Sequence, residues 1–183
     1  MLTPEQQARQ NIDKQLLQAG WFVQDLKDFY PSASLGIAVR EYPTESGAAD
    51  YILFIDRKPV GVIEAKKEGV TLSAVHDTQT TRYASDKLKY VGKVSDLPFQ
   101  YESTGTETFF TDARDPSPRQ REIFNFHKPE TLNEWLKQEE TLRSRLKKFP
   151  TLNSSGLRVC QVSAIINLEE SFSLNKPRAL VQM

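Results

Sequence analysis

The spacing of apolar residues predicts one helix at the beginning of the chain. Ile12 and Leu16 recur at helical spacing, and Thr3 together with Gln6 forms a capping box just before them. Gly20 follows these residues, and glycine is common directly after the end of a helix. The pattern therefore predicts a helix over residues 4–19.

The two densest apolar runs lie next to each other in the chain, AADYILFI at 48–55 and VGVIEA at 60–65, joined by the polar link DRKP. Two such runs with a short polar link predict a β-hairpin. Their apolarity is continuous rather than alternating, which is typical of strands covered on both faces in the centre of a mixed sheet. Shorter extended segments are predicted at 21–23, 36–42, 99–102 and 108–111.

Helical spacing returns later in the chain and predicts helices at 71–89, 129–148 and 157–172, with a loop at 112–122. Residues 177–183 have the pattern of the first residues of a buried strand. The polar stretch PTLNSSG predicts a linker. We therefore predict an α/β domain at 1–150 with a mixed central sheet flanked by helices, a linker at 151–156, and the truncated start of a second domain at 157–183.

The composition excludes several classes of protein. The chain has 24 Lys and Arg against 24 Asp and Glu, so it is not a polybasic binder, and any contact with DNA requires a local patch. The single cysteine, Cys160, excludes a disulfide framework, and its apolar helical neighbourhood predicts a small buried side chain. No segment has the pattern of a signal peptide or a membrane span, which predicts a cytoplasmic protein.

Two acids and a lysine form the clearest candidate for chemistry. The hairpin folds Asp50 back beside Glu64, and Lys66 points to the same side of its strand as Glu64 because side chains alternate along a strand. Two carboxylates suit Mg²⁺, and the main-chain carbonyl of Ala65 is a further candidate ligand. An adjacent ammonium can orient an attacking water or stabilise the phosphate. The simpler alternative is a solvated ion pair between Glu64 and Lys66 at a strand end.

The helix predicted after this hairpin contains an amide in its apolar stripe. Gln79 and Tyr83 are four residues apart and share one helix face. A buried amide needs a polar partner, and the neighbouring carboxylates or a DNA backbone could provide one. The alternative is a core glutamine whose hydrogen bonds are satisfied within the protein.

These residues resemble a known family. GAADYILFIDRKPVGVIEAKKE followed by QTTRY is similar to the restriction-endonuclease-like PD-(D/E)xK core with the RecB-type Gln-x-x-x-Tyr extension. The whole chain resembles the N-terminal part of the restriction (R, HsdR) subunit of type I restriction-modification enzymes. The similarity includes TPEQQARQNIDKQLLQAGW, FFTDARDPSPRQREIFNFHKPETLNEWL and LRVCQVSAIINLEESFSLNKPRALVQM. Ala49 stands where the motif has proline, a position without a chemical role.

The resemblance implies a role for each residue that matches the family motif. It implies that Asp50 and Glu64 bind the metal, that Lys66 is the catalytic lysine, and that Gln79 and Tyr83 position the catalytic groups or the DNA. Sites of this fold are often completed by an acid from the first helix. Glu5 occupies that place in the sequence, although surface solvation is expected for it.

The resemblance also implies a particular setting for the site. It implies a Mg²⁺-dependent endonuclease that cuts double-stranded DNA remote from a recognition sequence, alongside specificity and methyltransferase subunits. An ATP-driven superfamily-2 motor would begin near residue 157, where Gln161 matches a glutamine close to the nucleotide. Two alternatives stay open: a catalytically silent nuclease-like module for DNA binding or subunit docking, and a RecB-type repair nuclease.

Overall fold

A computed structural model describes residues 3–45, 47–69, 72, 97–176 and 178–181. Within these residues seven strands form one sheet in chain order. The β1–β2 and β4–β5 pairs are parallel and the other pairs are antiparallel. The strands are β1 (Phe22–Asp25), β2 (Gly36–Pro43), β3 (Ala48–Ile55), β4 (Lys58–Ala65), β5 (Phe99–Ser103), β6 (Thr108–Asp112) and β7 (Arg121–Ile123).

Four α-helices accompany the sheet among the described residues: α1 (Pro4–Gln18), α2 (Pro129–Lys137), α3 (Leu142–Arg145) and α4 (Val159–Ser173). A short 3-10 helix (Leu26–Asp28) follows β1. The capping box at Thr3 is present, with side chain and backbone bonding in both directions. The predicted α/β class with a mixed central sheet and flanking helices is confirmed. The helix predicted at 71–89 lies outside the described residues.

The β3–β4 hairpin has a two-residue turn. Asp56 and Arg57 both have positive φ angles, of 45° and 66°, as the tight hairpin turn that matches strand twist requires. Ile55 therefore pairs with Lys58, and β4 begins two residues before the predicted start. Pro59 is tolerated because it lies beside a break in register, where a missing N–H disturbs the ladder least.

Among the described residues the core consists of two apolar clusters, and alternate residues of β3 belong to different clusters. Tyr51 and Leu53 pack with Ile12 and Leu16 of α1, whereas Ile52 and Phe54 belong to the other cluster. Both faces of β3 are thus covered, which is why its sequence is apolar throughout. Burying each such aliphatic side chain contributes about 1.5–3 kcal/mol to folding.

Gly61 permits the close approach of β4 and β5. A Cβ atom at this position would lie 2.7 Å from the carbonyl oxygen of Phe99, closer than real contacts allow. The pairing of Gly61 with Phe99 begins a register that continues to Glu64 and Ala65. The absence of a side chain at Gly61 therefore helps to position the end of β4.

Two sequence predictions about helix and loop bounds are wrong. The helix predicted at 129–148 is two helices, because the Oγ1 of Thr141 accepts a hydrogen bond from the Ser144 N–H at 3.3 Å and starts a new helix. The predicted loop at 112–122 includes the start of β7, whose residues pair with β6. Three residues of unremarkable sequence give no periodic signal, so only the pairing defines this strand.

Two predictions of burial near the end of the chain are also wrong. Cys160 is exposed, since α4 contains no buried residue. Residues 178–181, in the segment predicted to begin a buried strand, form no strand and are exposed. A strand is buried only where neighbouring elements cover it, and within the described residues none pairs with this segment.

The chain forms two compact units. The first comprises residues 1–113 and 118–137 and contains the sheet, α1 and α2; the second comprises residues 114–117 and 138–183 and contains α3 and α4. The predicted linker at 151–156 and the domain boundaries beside it stay predictions. No helix in the described ranges combines the length and apolarity needed to cross a membrane.

Candidate active site

Four of the predicted site residues meet where the β3–β4 hairpin ends, away from its turn. The Ala65 N–H donates a hydrogen bond to Oδ2 of Asp50 at 2.8 Å. In addition, Nζ of Lys66 lies 3.4 Å from Oε1 of Glu64. The structure therefore brings Asp50, Glu64, Ala65 and Lys66 together, as the hairpin predicts, while their roles in catalysis stay a prediction.

Both acids are largely removed from solvent. Asp50 and Glu64 are 9% and 8% exposed, and the side chain of Lys66 is 19% exposed. An ionised carboxylate is costly to bury unless hydrogen bonds or opposite charges compensate it. The Ala65 N–H and the Lys66 ammonium provide part of that compensation.

The site opens into a polar cleft of about 350 Å³. Its lining includes three acids and three cations: Glu5, Arg9, Asp50, Glu64, Lys66 and Lys67. Glu5 is exposed, as expected, although it lies at this cleft. The cleft thus combines buried negative charge at its base with positively charged groups around it.

Arg9 also lies at this site, although the sequence did not predict it. Its Nη2 donates a hydrogen bond to Oδ1 of Asp50, and its Nη1 donates to Oε1 of Glu41 at 2.9 Å. Partial burial opposes the charged form of Arg9, but the charges and hydrogen bonds of Asp50 and Glu41 outweigh it and raise its pKa above the ordinary value. Arg9 lies three residues before Ile12, on the buried face of α1, so its periodicity was a usable signal.

A polar network attaches α1 to β2 and β3 beside the site. The Tyr51 hydroxyl lies 2.9 Å from Oδ1 of Asp13 and 3.2 Å from the carbonyl oxygen of Arg9. Arg40 of β2 donates to Asp13 and, at 2.8 Å, to Oδ1 of Asp25. These bonds fix the turn of α1 that carries Arg9 against the strand that carries Asp50.

A further buried acid lies beside Glu64 on the neighbouring strand. Glu102 of β5 pairs in register with Glu64, is 5% exposed, and accepts a hydrogen bond from Nε2 of Gln120 at 2.9 Å. The carbonyl oxygen of Ser103 also accepts from the Lys66 N–H at 2.8 Å. Among the described residues no three His, Cys, Asp or Glu side chains converge to hold a metal, so Glu102 does not complete a three-acid set.

The donor set of Asp50 and Glu64 fits a hard divalent cation. Carboxylate oxygens are the ligands that Mg²⁺ prefers, and Mg²⁺ usually keeps several positions for water or phosphate oxygens rather than requiring an all-protein cage. Two buried acids at the base of a polar cleft match that requirement. The Ala65 carbonyl stays a candidate ligand from the sequence.

The remaining predicted site residues do not join this cluster in the described part of the chain. Gln79 and Tyr83 lie outside the described residues. Gln161 lies in the second unit, where it is exposed at the start of α4 and its Oε1 accepts from the Arg158 N–H at 2.9 Å. It lines an apolar cleft of about 260 Å³ together with Leu157 and Ile165. Its predicted role at a nucleotide stays a prediction.

Comparison with known proteins points to one family. Residues 23–105, which include β2 to β5 and both acids, match the family model described as the second domain of the type I restriction enzyme EcoKI endonuclease subunit. The EcoKI endonuclease subunit of Escherichia coli (strain K12) is 25% identical over 230 residues, covering 98% of this chain and 20% of that protein.

A solved structure is also similar. It is a fragment described as an HsdR subunit of a type I restriction enzyme from Vibrio vulnificus YJ016, with 19% identity and a TM-score of 0.48. The match covers 100% of this chain and 35% of that one.

The mixed sheet, with two acids and a lysine at the end of its hairpin, has the arrangement that the sequence predicted from its resemblance to the PD-(D/E)xK core. The chain is similar to the endonuclease subunits of type I restriction enzymes, and its predicted resemblance to their N-terminal nuclease region is confirmed. It spans about a fifth of the length of the EcoKI subunit.

Proposed function

We propose that this chain is a Mg²⁺-dependent endonuclease domain that hydrolyses DNA phosphodiesters within a type I restriction enzyme. The observation that carries the proposal is the hydrogen bond from the Ala65 N–H to Asp50. This bond holds the carboxylate of β3 beside the Glu64-Ala65-Lys66 segment of β4. The family of the chain supports the same chemistry.

The two acids would hold the metal. Asp50 and Glu64, with the carbonyl of Ala65, provide oxygen donors at the base of the cleft. Bound Mg²⁺ would neutralise the charge that develops on the phosphate and lower the pKa of the attacking water. Burial of both carboxylates strengthens their attraction for a cation, because charges interact more strongly away from bulk water.

Lys66 contributes a proton-bearing cation at the same place. Its Nζ is kept beside Glu64 and is only partly exposed, so the ammonium is restricted in position. It can donate a hydrogen bond to a phosphate oxygen as negative charge builds up, or orient the attacking water. The resemblance assigns Gln79 and Tyr83 to positioning of these groups or of the DNA.

The substrate that we propose is double-stranded DNA, cut without sequence preference and remote from the recognition sequence. Specificity and methyltransferase subunits would be the partners, and an ATP-driven motor, with Gln161 near its nucleotide, would deliver the DNA. The equal numbers of basic and acidic residues support this arrangement, because the chain has no excess positive charge with which to hold DNA by itself.

The proposal is tested in the full restriction complex by comparing Asp50→Asn with Asp56→Asn. Both variants make the same chemical change in the same hairpin, but Asp56 is an exposed turn residue. We expect Asp50→Asn to lower the cleavage rate by about 100-fold or more and Asp56→Asn to leave it unchanged. ATP-driven translocation, measured in parallel, should be normal in both.

Normal cleavage by Asp50→Asn, with translocation intact, would contradict the proposal. The alternative of a silent module would then be favoured, and the close contact between Arg9 and Asp50 would be a purely structural ion pair. A RecB-type repair nuclease would show the same loss with Asp50→Asn, but its cleavage would not depend on the recognition sequence or the specificity subunit.

A further inference from the structure

Arg9 lies where a cation would approach Asp50. Both oxygens of this carboxylate already have donors, since Oδ2 accepts from the Ala65 N–H and Oδ1 accepts from Nη2 of Arg9. Each carboxylate oxygen can accept more than one partner, so a divalent ion that binds Asp50 either takes Oδ1 from Arg9 or shares the carboxylate with a group of like charge. Such sharing is unfavourable, because like charges repel strongly at a partly buried site.

The charges of the two ion pairs at the base of the cleft balance each other before any ion binds. Asp50 and Glu64 carry two negative charges, and Arg9 and Lys66 carry two positive charges. Adding a divalent cation gives the group an excess of positive charge. That excess weakens the hold of Asp50 on Arg9 and favours the arrival of an anion such as a phosphodiester.

Arg9 has a second anchor that does not depend on Asp50. Its Nη1 bonds to Glu41, which is 69% exposed and has a positive φ of 49°. Glu41 lies between the pairs Arg40–Tyr51 and Tyr42–Ala49, level with Asp50 across the two strands. When Oδ1 is taken by an ion, Glu41 can keep the guanidinium at the cleft while Nη2 becomes available.

We propose that Arg9 is a further substrate-binding residue of this site. Its guanidinium pairs with Asp50 until a divalent cation takes Oδ1, and then binds a non-bridging oxygen of a DNA backbone phosphate in the cleft. The planar fork of N–H donors suits phosphate oxygens, and the position of Arg9 in the cleft lining provides access. This role rests on the proposed nuclease function.

The first test measures Mn²⁺ binding to the full chain, without DNA, by electron paramagnetic resonance. Arg9→Gln is compared with Arg57→Gln, which removes the same charge from the exposed turn at the far end of the hairpin. We expect Arg9→Gln to bind Mn²⁺ about threefold or more tightly than wild type, since the competing cation is gone. Arg57→Gln should match wild type, and Asp50→Asn should bind more weakly.

The second test measures binding of a short DNA duplex to the full restriction complex by fluorescence anisotropy, with Ca²⁺ as the divalent probe and also with chelator only. In Ca²⁺ we expect Arg9→Gln to weaken DNA binding about fivefold to tenfold relative to Arg57→Gln. In chelator the two variants should agree, because Asp50 then holds Arg9. A change that is specific to Ca²⁺ is not expected of a purely structural ion pair.

Two further variants test the role of Arg9 if Arg9→Gln folds poorly. Arg9→Lys should retain part of the Ca²⁺-dependent affinity, and Glu41→Gln, which changes an exposed side chain, should lower it by a smaller factor than Arg9→Gln. Far-ultraviolet circular dichroism compares the folding of all variants with wild type.

The outcomes separate the two proposals. If Asp50→Asn weakens Mn²⁺ binding but Arg9→Gln behaves like Arg57→Gln in both tests, the role of Arg9 is wrong and the proposed function stands. If Asp50→Asn also leaves Mn²⁺ binding unchanged, the metal site itself is wrong, and the role of Arg9 is overturned with it.

Discussion

Apolar residues at helical spacing are buried in the first compact unit but not in the second. In the first unit, Ile12 and Leu16 of α1 are fully buried against the sheet, and acids such as Asp50 are held by hydrogen bonds from other elements. In the second unit, α4 has no buried residue and Val159 is 84% exposed. Apolar periodicity therefore identifies a helix, but the burial of its residues depends on the elements that pack against it.

The candidate site residues of the two units differ in how many other elements they contact. Asp50 lies among groups from α1 and β4, so its carboxylate is fixed in one place. Gln161 bonds only locally, to the backbone N–H three residues before it, among its described hydrogen bonds. We therefore expect perturbations of the first unit to have larger and more specific consequences.

The largest expected effect is on DNA cleavage. Glu64→Gln keeps the shape of a buried side chain and removes its charge, so the full complex should cut DNA about 100-fold to 1000-fold more slowly. Glu170→Gln makes the same change on the exposed surface of α4 and should have no effect on cleavage per translocation event. Equal rates for both variants would remove the distinction between the units.

The next effect is on stability. Leu16→Ala leaves a cavity in the core and should lower the free energy of unfolding by about 3 kcal/mol, whereas Leu174→Ala, which is 59% exposed, should cost at most about 0.5 kcal/mol. Both tryptophans, Trp21 and Trp135, lie in the first unit, so their fluorescence in a urea titration reports its unfolding. A small loss for Leu16→Ala would show that α1 is not part of this core.

A pH effect should come from His127 in the first unit. Burial, together with the charge of Arg121, lowers its pKa to about 4. The unfolded chain binds this proton near pH 6.5, so stability is complete above that pH and decreases as the pH falls towards 4, by about 2–3 kcal/mol. His127→Asn should lose this part of the slope in urea titrations at pH 7 and 4.5. An unchanged slope would contradict the lowered pKa.

The smallest effect should come from the network behind the site. Tyr51→Phe removes the hydroxyl that lies 2.9 Å from Asp13 and should lower the free energy of unfolding by about 1 kcal/mol. Metal binding should weaken slightly, because α1 is then held less firmly beside Asp50. Tyr30→Phe, at an exposed tyrosine, is the matched control and should change neither quantity.

The sequence was sufficient for elements defined by local signals. The capping box predicted the start of α1, and the continuous apolar runs predicted the β3–β4 hairpin and hence the meeting of Asp50 with Glu64. In each case the residues that determine the structure lie within a few turns or one hairpin of each other. Periodicity and turn chemistry contain that information.

Features that depend on distant partners could not be predicted in the same way. Arg9 reaches Asp50 across 41 positions of sequence, β7 is defined by its pairing with β6, and Cys160 is exposed on a helix, α4, that has no buried residue. The separation of α2 from α3 has a local signal, because Thr141 is a recognisable capping residue at the start of α3. A pattern of residue types specifies such features only when the packing partner is known.

The proposed function depends on the binding of a divalent metal by Asp50 and Glu64 at the base of the cleft beside Lys66. It is tested most directly by soaking crystals of the protein in Mn²⁺ and measuring anomalous diffraction. We predict one strong anomalous peak within coordination distance of a carboxylate oxygen of each acid, with Nη2 of Arg9 displaced from Oδ1 of Asp50. The peak should be absent from Asp50→Asn crystals soaked identically. The absence of a peak between the two acids at saturating Mn²⁺, with Arg9 still bonded to Asp50, would contradict metal binding at this site.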